Sequence, residues 1–156
     1  MAAFALRDLT IDDAEAAAAL IRSAFAGYDP PLQPAPSALR ETAESLAAHI
    51  QKGGMAAVAG DVLVGVVLWE EREGGLYFGR LAVDAGFRRK GVAQALVAAA
   101  EARARAAGYP RLHAAVRLVL AGNRALFARL GFVETELHAH DGYTHPTWVD
   151  LEKRLG

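Results

Sequence analysis

The chain has no cysteine. Disulfides, thiolate metal sites and a cysteine nucleophile are therefore excluded. It also lacks an excess of either charge: 17 Lys and Arg stand against 18 Asp and Glu, a net charge of -1. Such a chain has no global basic field with which to hold nucleic acid or an anionic membrane, so an anion site has to be built locally. Long hydrophobic runs are missing too. Charge or glycine interrupts every apolar stretch well short of the roughly 20 residues of a membrane span. The N-terminus reaches Arg7 and Asp8 before an apolar core of signal-peptide length forms. These absences predict a cytoplasmic protein that binds neither nucleic acid nor membrane. No G-x-S-x-G nucleophile elbow, G-x-G-x-x-G fingerprint, internal repeat or low-complexity linker occurs.

What is present is ordinary globular usage: 156 residues, 53% hydrophobic and 22% charged. That predicts one domain over residues 1–156. Phe4–Asp8 reads as an opening strand. Thr10 caps a helix that runs to about Phe25, with Asp12 and Asp13 in its first turn, where the macrodipole favours negative charge. Gly27–Pro36 holds four of the six prolines and reads as a stiff irregular loop, either a connector or the wall of a substrate cleft. Ser37 is read as the N-cap of a second helix ending near Lys52. Met55–Ala59 and Val62–Glu71 form a hairpin about Gly60-Asp61, and Leu76–Val83 is a fourth strand. Gly91–Ala107 is an alanine-rich helix stopped by Gly108. Leu112–Val116, a short helix Asn123–Leu130, Phe132–His138 and Thr147–Leu151 complete the chain. The order β-α-α-β-β-β-α-β-α-β-β mixes hairpins with a helical crossover and so predicts a mixed sheet.

The most informative segment is Leu81-Ala82-Val83-Asp84-Ala85-Gly86-Phe87-Arg88-Arg89-Lys90-Gly91-Val92-Ala93. A strand ends, three consecutive cations follow, and a helix opens on a glycine and a small residue. Amides at a helix start have no intrahelical partner and, with the helix dipole, make an anion site. Gly91 lets a phosphate approach the backbone. Gly86 and Gly91 have P-loop spacing, but Val92-Ala93 replace the Lys-Ser/Thr that would reach the terminal phosphates and magnesium. A solvated basic turn is the plain alternative.

Arg88-x-x-Gly91-x-Ala93 resembles the Q/R-x-x-G-x-G/A signature of the GNAT family of N-acetyltransferases. Asn123-Arg124-Ala125-Leu126-Phe127-Ala128-Arg129-Leu130-Gly131-Phe132 resembles the family's second motif. The element order is similar to that of the whole family fold. The resemblance implies class α+β (mixed α/β): a GNAT-like fold with a central mixed, mostly antiparallel sheet of about seven strands flanked by about four helices. It further implies acetyl-CoA as co-substrate and no metal. Leu81, Ala82 and Val83 would face the pantetheine arm. Arg88, Arg89, Lys90, Gly91, Val92, Ala93 and Gln94 would cradle the diphosphate. Asn123 would hydrogen-bond the arm or cap its own helix, and Phe127 would pack on the arm or in the core.

The implied reaction is direct acyl transfer in a ternary complex, from the thioester to a primary amine, with a small molecule favoured over a peptide as acceptor. A backbone N–H near Val83 would stabilise the oxyanion. Many members use a tyrosine to protonate the leaving thiolate, and that position is Phe127 here. A thiol pKa near ~8.5 makes thiolate a tolerable leaving group. Candidates for the amine's base are Glu70, His138 and Tyr143, and Tyr28, Tyr77 and His140 are candidate acceptor contacts. His138 and His140 share one strand face with no acidic neighbour on it, so no metal is expected there. A non-catalytic acyl-CoA sensor is the rival reading, and a homodimer is compatible with the resemblance.

Overall fold

The computed structural model describes residues 3–156. In chain order the elements are β1 (Ala5–Asp8), α1 (Ala14–Ala26), α2 (Ala43–Ile50), β2 (Gly54–Ala59), β3 (Val62–Arg72), β4 (Gly75–Val83), α3 (Val92–Ala106), β5 (Arg111–Arg117), α4 (Ala121–Arg129), β6 (Val133–His138) and β7 (Trp148–Arg154). Short 3-10 turns occupy Ile11–Asp13, Ser37–Arg40 and Ala85–Phe87. The strands form a seven-stranded sheet in the order β1-β2-β3-β4-β5-β7-β6. β4 and β5 pair in parallel, whereas β1–β2, β2–β3, β5–β7 and β7–β6 are antiparallel. The expected mixed sheet and four flanking helices are therefore present. No helix among the described residues is long and apolar enough to cross a membrane.

The chain falls into two compact units. One comprises the chain up to Glu70 together with Phe78–Ala102, the other Glu71–Tyr77 together with Arg103–Gly156. In the first unit, strand alternation sorts side chains between two helical layers. Ala56, Val66 and Leu68 join Ala17, Ala18 and Ile21 of α1 and Leu46 and Ile50 of α2 in one buried cluster. The alternate positions Ala57 and Gly65 face α3. A Cβ on Gly65 would lie 2.7 Å from Val92 Cγ1 and 3.1 Å from Leu96 Cδ1, so the missing side chain is what lets the first turns of α3 settle on β3. That contact fixes where the helix start lies. Arg7 locks β1 to the turn before α1 by a two-pronged pair with Asp13, both bonds 2.8 Å. Asp13 also accepts the Thr10 N–H at 2.8 Å. These bonds, Arg7 foremost, draw the Asp13 carboxyl down to about 2.

In the second unit, Leu112, Ala114 and Val116 of β5 alternate inward with Val149 and Leu151 of β7. β7 runs to Arg154, three residues past its expected end. Its charged tail stays in register with β5, and Arg111 meets Glu152 at 3.0 Å. Arg124 of α4 grips Glu134 of β6 through two 2.8 Å bonds, and Lys153 donates to the Leu130 carbonyl at the end of α4.

Two local expectations need correction. Ser37 does not cap a helix running to Lys52. Ser37–Arg40 is a 3-10 turn, Glu41 is extended, and α2 starts after Thr42, whose side chain accepts from the Ser45 N–H while Ser45 Oγ accepts the Thr42 N–H. This reciprocal box is the stronger start signal, and the Ser37 hydroxyl is taken by Arg80. Asn123 is not a cap either. α4 begins two residues earlier, with Leu120 at the N-cap position, so Asn123 lies inside the first turn.

Candidate active site

In the first unit, β4 leads directly into the cationic turn. The Asp84 N–H donates to the Val64 carbonyl at 2.8 Å, holding the strand end to β3. The Asp84 carboxylate accepts the Gly86 N–H at 2.9 Å and its carbonyl accepts the Phe87 N–H. Gly86 thus belongs to a tight turn closed by Asp84. Arg89 and Gly91 both have left-handed backbone, with φ of 62° and 83°. Alternation of this kind turns successive N–H groups to one side. The Gly91 carbonyl accepts the Ala95 N–H, which places the start of α3 at Gly91 and leaves the Val92, Ala93 and Gln94 amides as its first-turn donors.

The surroundings of Gly91 are open: a Cβ there would meet no atom within 4 Å. Arg88, Arg89, Lys90 and Gln94 are exposed, and Val92 is buried against β3 and so anchors the donors. Lys90 lies over the Phe87 ring with Nζ 5.2 Å from its centroid. Arg88 turns toward the C-terminus of α1, where a Cβ on Gly27 would stand 3.7 Å from its Nη2. A guanidinium there also suits the negative end of that helix dipole. The donor set of first-turn amides, an open left-handed glycine and clustered cations fits an anion bearing several negative charges, such as a diphosphate. Leu81 and Val83 are half-buried and Ala82 is buried in the α1–α2 cluster, so the strand that leads to the turn is fixed on its inner face.

The sequence matches the Acetyltransferase (GNAT) family over residues 17–132. The chain belongs to the GNAT acetyltransferase family. No curated protein matches it at a significant level. Among solved structures, the PaiA N-acetyltransferase of Thermoplasma acidophilum, in complex with coenzyme A, superposes with a TM-score of 0.80 at 17% identity, over 98% of this chain and 99% of that one. The ribosomal-protein-S18-alanine N-acetyltransferase of Escherichia coli gives 0.77 at 16% identity over 97% and 94%. The IAA acetyltransferase of Bacillus cereus gives 0.67 at 17% over 98% and 100%. At these identities the likeness is one of fold.

The other GNAT candidates are distributed as follows. In the first unit, Glu70 at the outer end of β3 accepts from Lys52 Nζ at 3.3 Å. Tyr28 opens the proline-rich loop and packs edge-on against Phe25. In the second unit, Tyr77 lies under the Arg72 guanidinium, 3.8 Å from its centroid, and edge-on to His113. His113 is buried, which pushes its pKa down, and its Nε2 bonds the Arg72 carbonyl. Phe127 is buried edge-on to Phe132, and Asn123 shares its helix face four residues earlier.

Two histidines, His138 and His140, gather around Trp148. His138 stacks on it at 4.0 Å between centroids, and its Nε2 meets Asp150 Oδ2 at 2.7 Å. His140 bonds the Thr147 hydroxyl, while Tyr143 packs edge-on to both His140 and His145. Burial, then the charge of Arg117, holds His140 below its ordinary pKa. The expectation that this face lacks an acidic neighbour is corrected: Asp150 arrives from β7, and one ligand atom each of Glu136, His138 and Asp150 lie within 4.8 Å of one another. The pairing of β6 with β7 carries the missing signal. His138 opposes Trp148, so Asp150 is its diagonal neighbour.

Sequence reasoning also missed Glu41 and the role of Arg80. Glu41 is only 5% exposed. Burial pushes its pKa up, but bonds from Ser45 and Arg80 outweigh this and hold the carboxyl below its ordinary value. Inside what reads as one long helix, Glu41 and Glu44 together look like a solvated face.

Proposed function

We propose that this chain transfers the acetyl group of acetyl-CoA to a primary amine, a small molecule by preference. The observation that carries this reading is the helix start at Gly91, where first-turn amides and an open left-handed glycine directly follow the exposed cations Arg89 and Lys90 in a chain of net charge -1. The family membership and the coenzyme A complex of the Thermoplasma relative support it. On this reading Val92, Ala93 and Gln94 donate to the diphosphate, Arg89 and Lys90 screen its charge, and the backbone of Leu81–Val83 faces the pantetheine arm. Asn123 and Phe127 are assigned to the same coenzyme as polar and apolar contacts.

His138 is assigned the amine's proton. The pair with Asp150 fixes the ring with Nε2 toward the carboxylate, which leaves Nδ1 as the atom that takes a proton. Asp150 also stabilises the charge the ring then acquires. The amine nitrogen bonds to the carbonyl carbon, the C–S bond breaks, the amine gives up one proton, and coenzyme A leaves as thiolate to be protonated by water. No tyrosine acid is needed at Phe127, because a thiolate leaves without prior protonation far more readily than an alkoxide. Glu70 and Tyr143 are secondary candidates for the base, and Tyr28, Tyr77 and His140 for acceptor contacts. The reading places the protein in the cytoplasm and allows a homodimer.

The test is thiol release from acetyl-CoA over a panel of small amines and of peptides with free N-termini. Turnover with small amines supports the assignment. Turnover confined to peptides moves the acceptor class. Coenzyme binding without turnover against every amine replaces catalysis by a sensor role, a reading that the buried Phe127 at the usual tyrosine position favours.

A further inference from the structure

Inside β4, Arg80 has φ of 53°, a non-glycine residue in the left-handed region within a strand. Such strain persists only where the surroundings over-determine it. Here they do. Arg80 Nε donates to Glu41 Oε2 at 2.7 Å and Nη2 donates to Ser37 Oγ at 3.0 Å. Glu41 is in turn held at both ends: Ser45 Oγ donates to its other carboxylate oxygen, and Arg22 Nη1 donates to its carbonyl at 2.7 Å. A buried carboxylate has thus been placed between the 3-10 turn and α2 to receive one guanidinium, and the expected long helix is broken there.

The kink has narrow bounds. Phe78 and Ala82 on either side are both 2% exposed, so the strand is pinned before and after it. The positive φ at Arg80 lies between these two anchors, so the peptide it turns is the one that follows, Arg80–Leu81. A left-handed residue in a strand rotates the following peptide out of the regular ladder, as a bulge does. That peptide lies a few residues before the anchored Asp84 and the cationic turn.

We propose that Arg80 and Glu41 are positioning residues: their ion pair holds the β4 kink that aims a backbone N–H between Leu81 and Val83 at the thioester carbonyl of the bound acetyl group. The proposal rests on the coenzyme reading given above. It assigns the 3-10 turn and α2 a part in catalysis, with no contact to either substrate. The diphosphate anchor at Gly91 is built separately, so affinity and carbonyl polarisation come from different parts of the chain.

The probe is acetyl-CoA labelled with carbon-13 at the carbonyl, with affinity read by calorimetry and the thioester C=O stretch by difference infrared. In the wild type, binding shifts the stretch to lower frequency, as a hydrogen bond to the carbonyl requires. In Arg80→Ala the dissociation constant stays within about twofold, the shift is lost, and amine-dependent thiol release falls about 100-fold, the scale of a misplaced reacting group. Arg80→Gly accepts the left-handed backbone without strain and regains part of the shift. Glu41→Gln keeps shape, weakens the clamp and gives an intermediate loss, and it serves as the test if Arg80→Ala does not fold. An unchanged carbonyl shift in folded Arg80→Ala or Glu41→Gln overturns the proposal alone. So does a wild-type complex whose carbonyl is unshifted. A wild-type chain that binds no acetyl-CoA overturns the coenzyme reading itself.

Discussion

On the proposed reading, the turn from Asp84 to Gln94 and the β6–β7 region around Trp148 would solve two binding problems with different materials. The turn uses main chain: amides at a helix start, a left-handed glycine, and cations that stay exposed. The β6–β7 region uses side chains: His138 on Asp150, stacked on Trp148, beside His140 on Thr147. Main-chain donors are fixed by the fold and shared among several residues. A side-chain dyad concentrates its chemistry in two atoms. The first kind of site should therefore resist most single truncations and yield only to a change that alters the backbone or fills its space. The second should fail at single positions.

The largest expected effect follows from that contrast. Gly91→Glu puts bulk and negative charge where bare amides are needed, on a backbone that disfavours any side chain. Coenzyme affinity, measured by calorimetry on folded protein, should drop at least about 100-fold, equivalent to losing one or two charge-assisted bonds. His138→Ala comes next. Turnover at saturating acetyl-CoA should fall about 100-fold, the lower end of general-base contributions, with coenzyme affinity unchanged. Asp150→Asn should cost about tenfold less than that, because on this reading the carboxylate acts only through the ring it bonds. By contrast, Arg89→Ala or Lys90→Ala should each weaken the coenzyme only about two- to fivefold, as exposed cations do, and that loss should shrink at high salt. Phe127→Ala should weaken coenzyme binding and leave turnover, since a phenyl ring has no proton to give.

Acid stability gives the smallest effect. Asp13 titrates at about 2 in the folded chain against an ordinary value of 3.8, mainly through its bond from Arg7. Its folded pKa is depressed, so its contribution is complete only above about pH 5 and is lost as pH falls from there toward 2. Arg7 is 46% exposed, which caps the pair at about 1 kcal/mol. Arg7→Ala should lower thermal stability slightly at pH 7 and flatten its fall between about pH 5 and 2.

The same contrast explains what could be read from the chain. Backbone devices leave local marks. Gly91 after three cations, Leu130-Gly131-Phe132 closing a helix, and the continuous apolar run of β3 from Val62 to Trp69 each announce themselves within a few residues. The order of strands and helices followed from those marks and agrees with the fold. Side-chain devices are long-range. Glu41 meets Arg80 across 39 positions, and nothing beside either residue signals the pairing. That pairing is also why the helix expected from Ser37 is broken, since Ser37 and Glu41 are both committed to Arg80. Asp150 meets His138 only once β6 and β7 are set in register. The left-handed backbone at Arg80 leaves no local signal at all, because arginine has no propensity for it.

Calorimetry of coenzyme A against the wild-type chain and Gly91→Glu, both shown folded by circular dichroism, tests the central claim most directly. The account predicts a saturable heat with the wild type and none with Gly91→Glu. A wild-type chain without heat, or a Gly91→Glu chain that binds as well as the wild type, would contradict it.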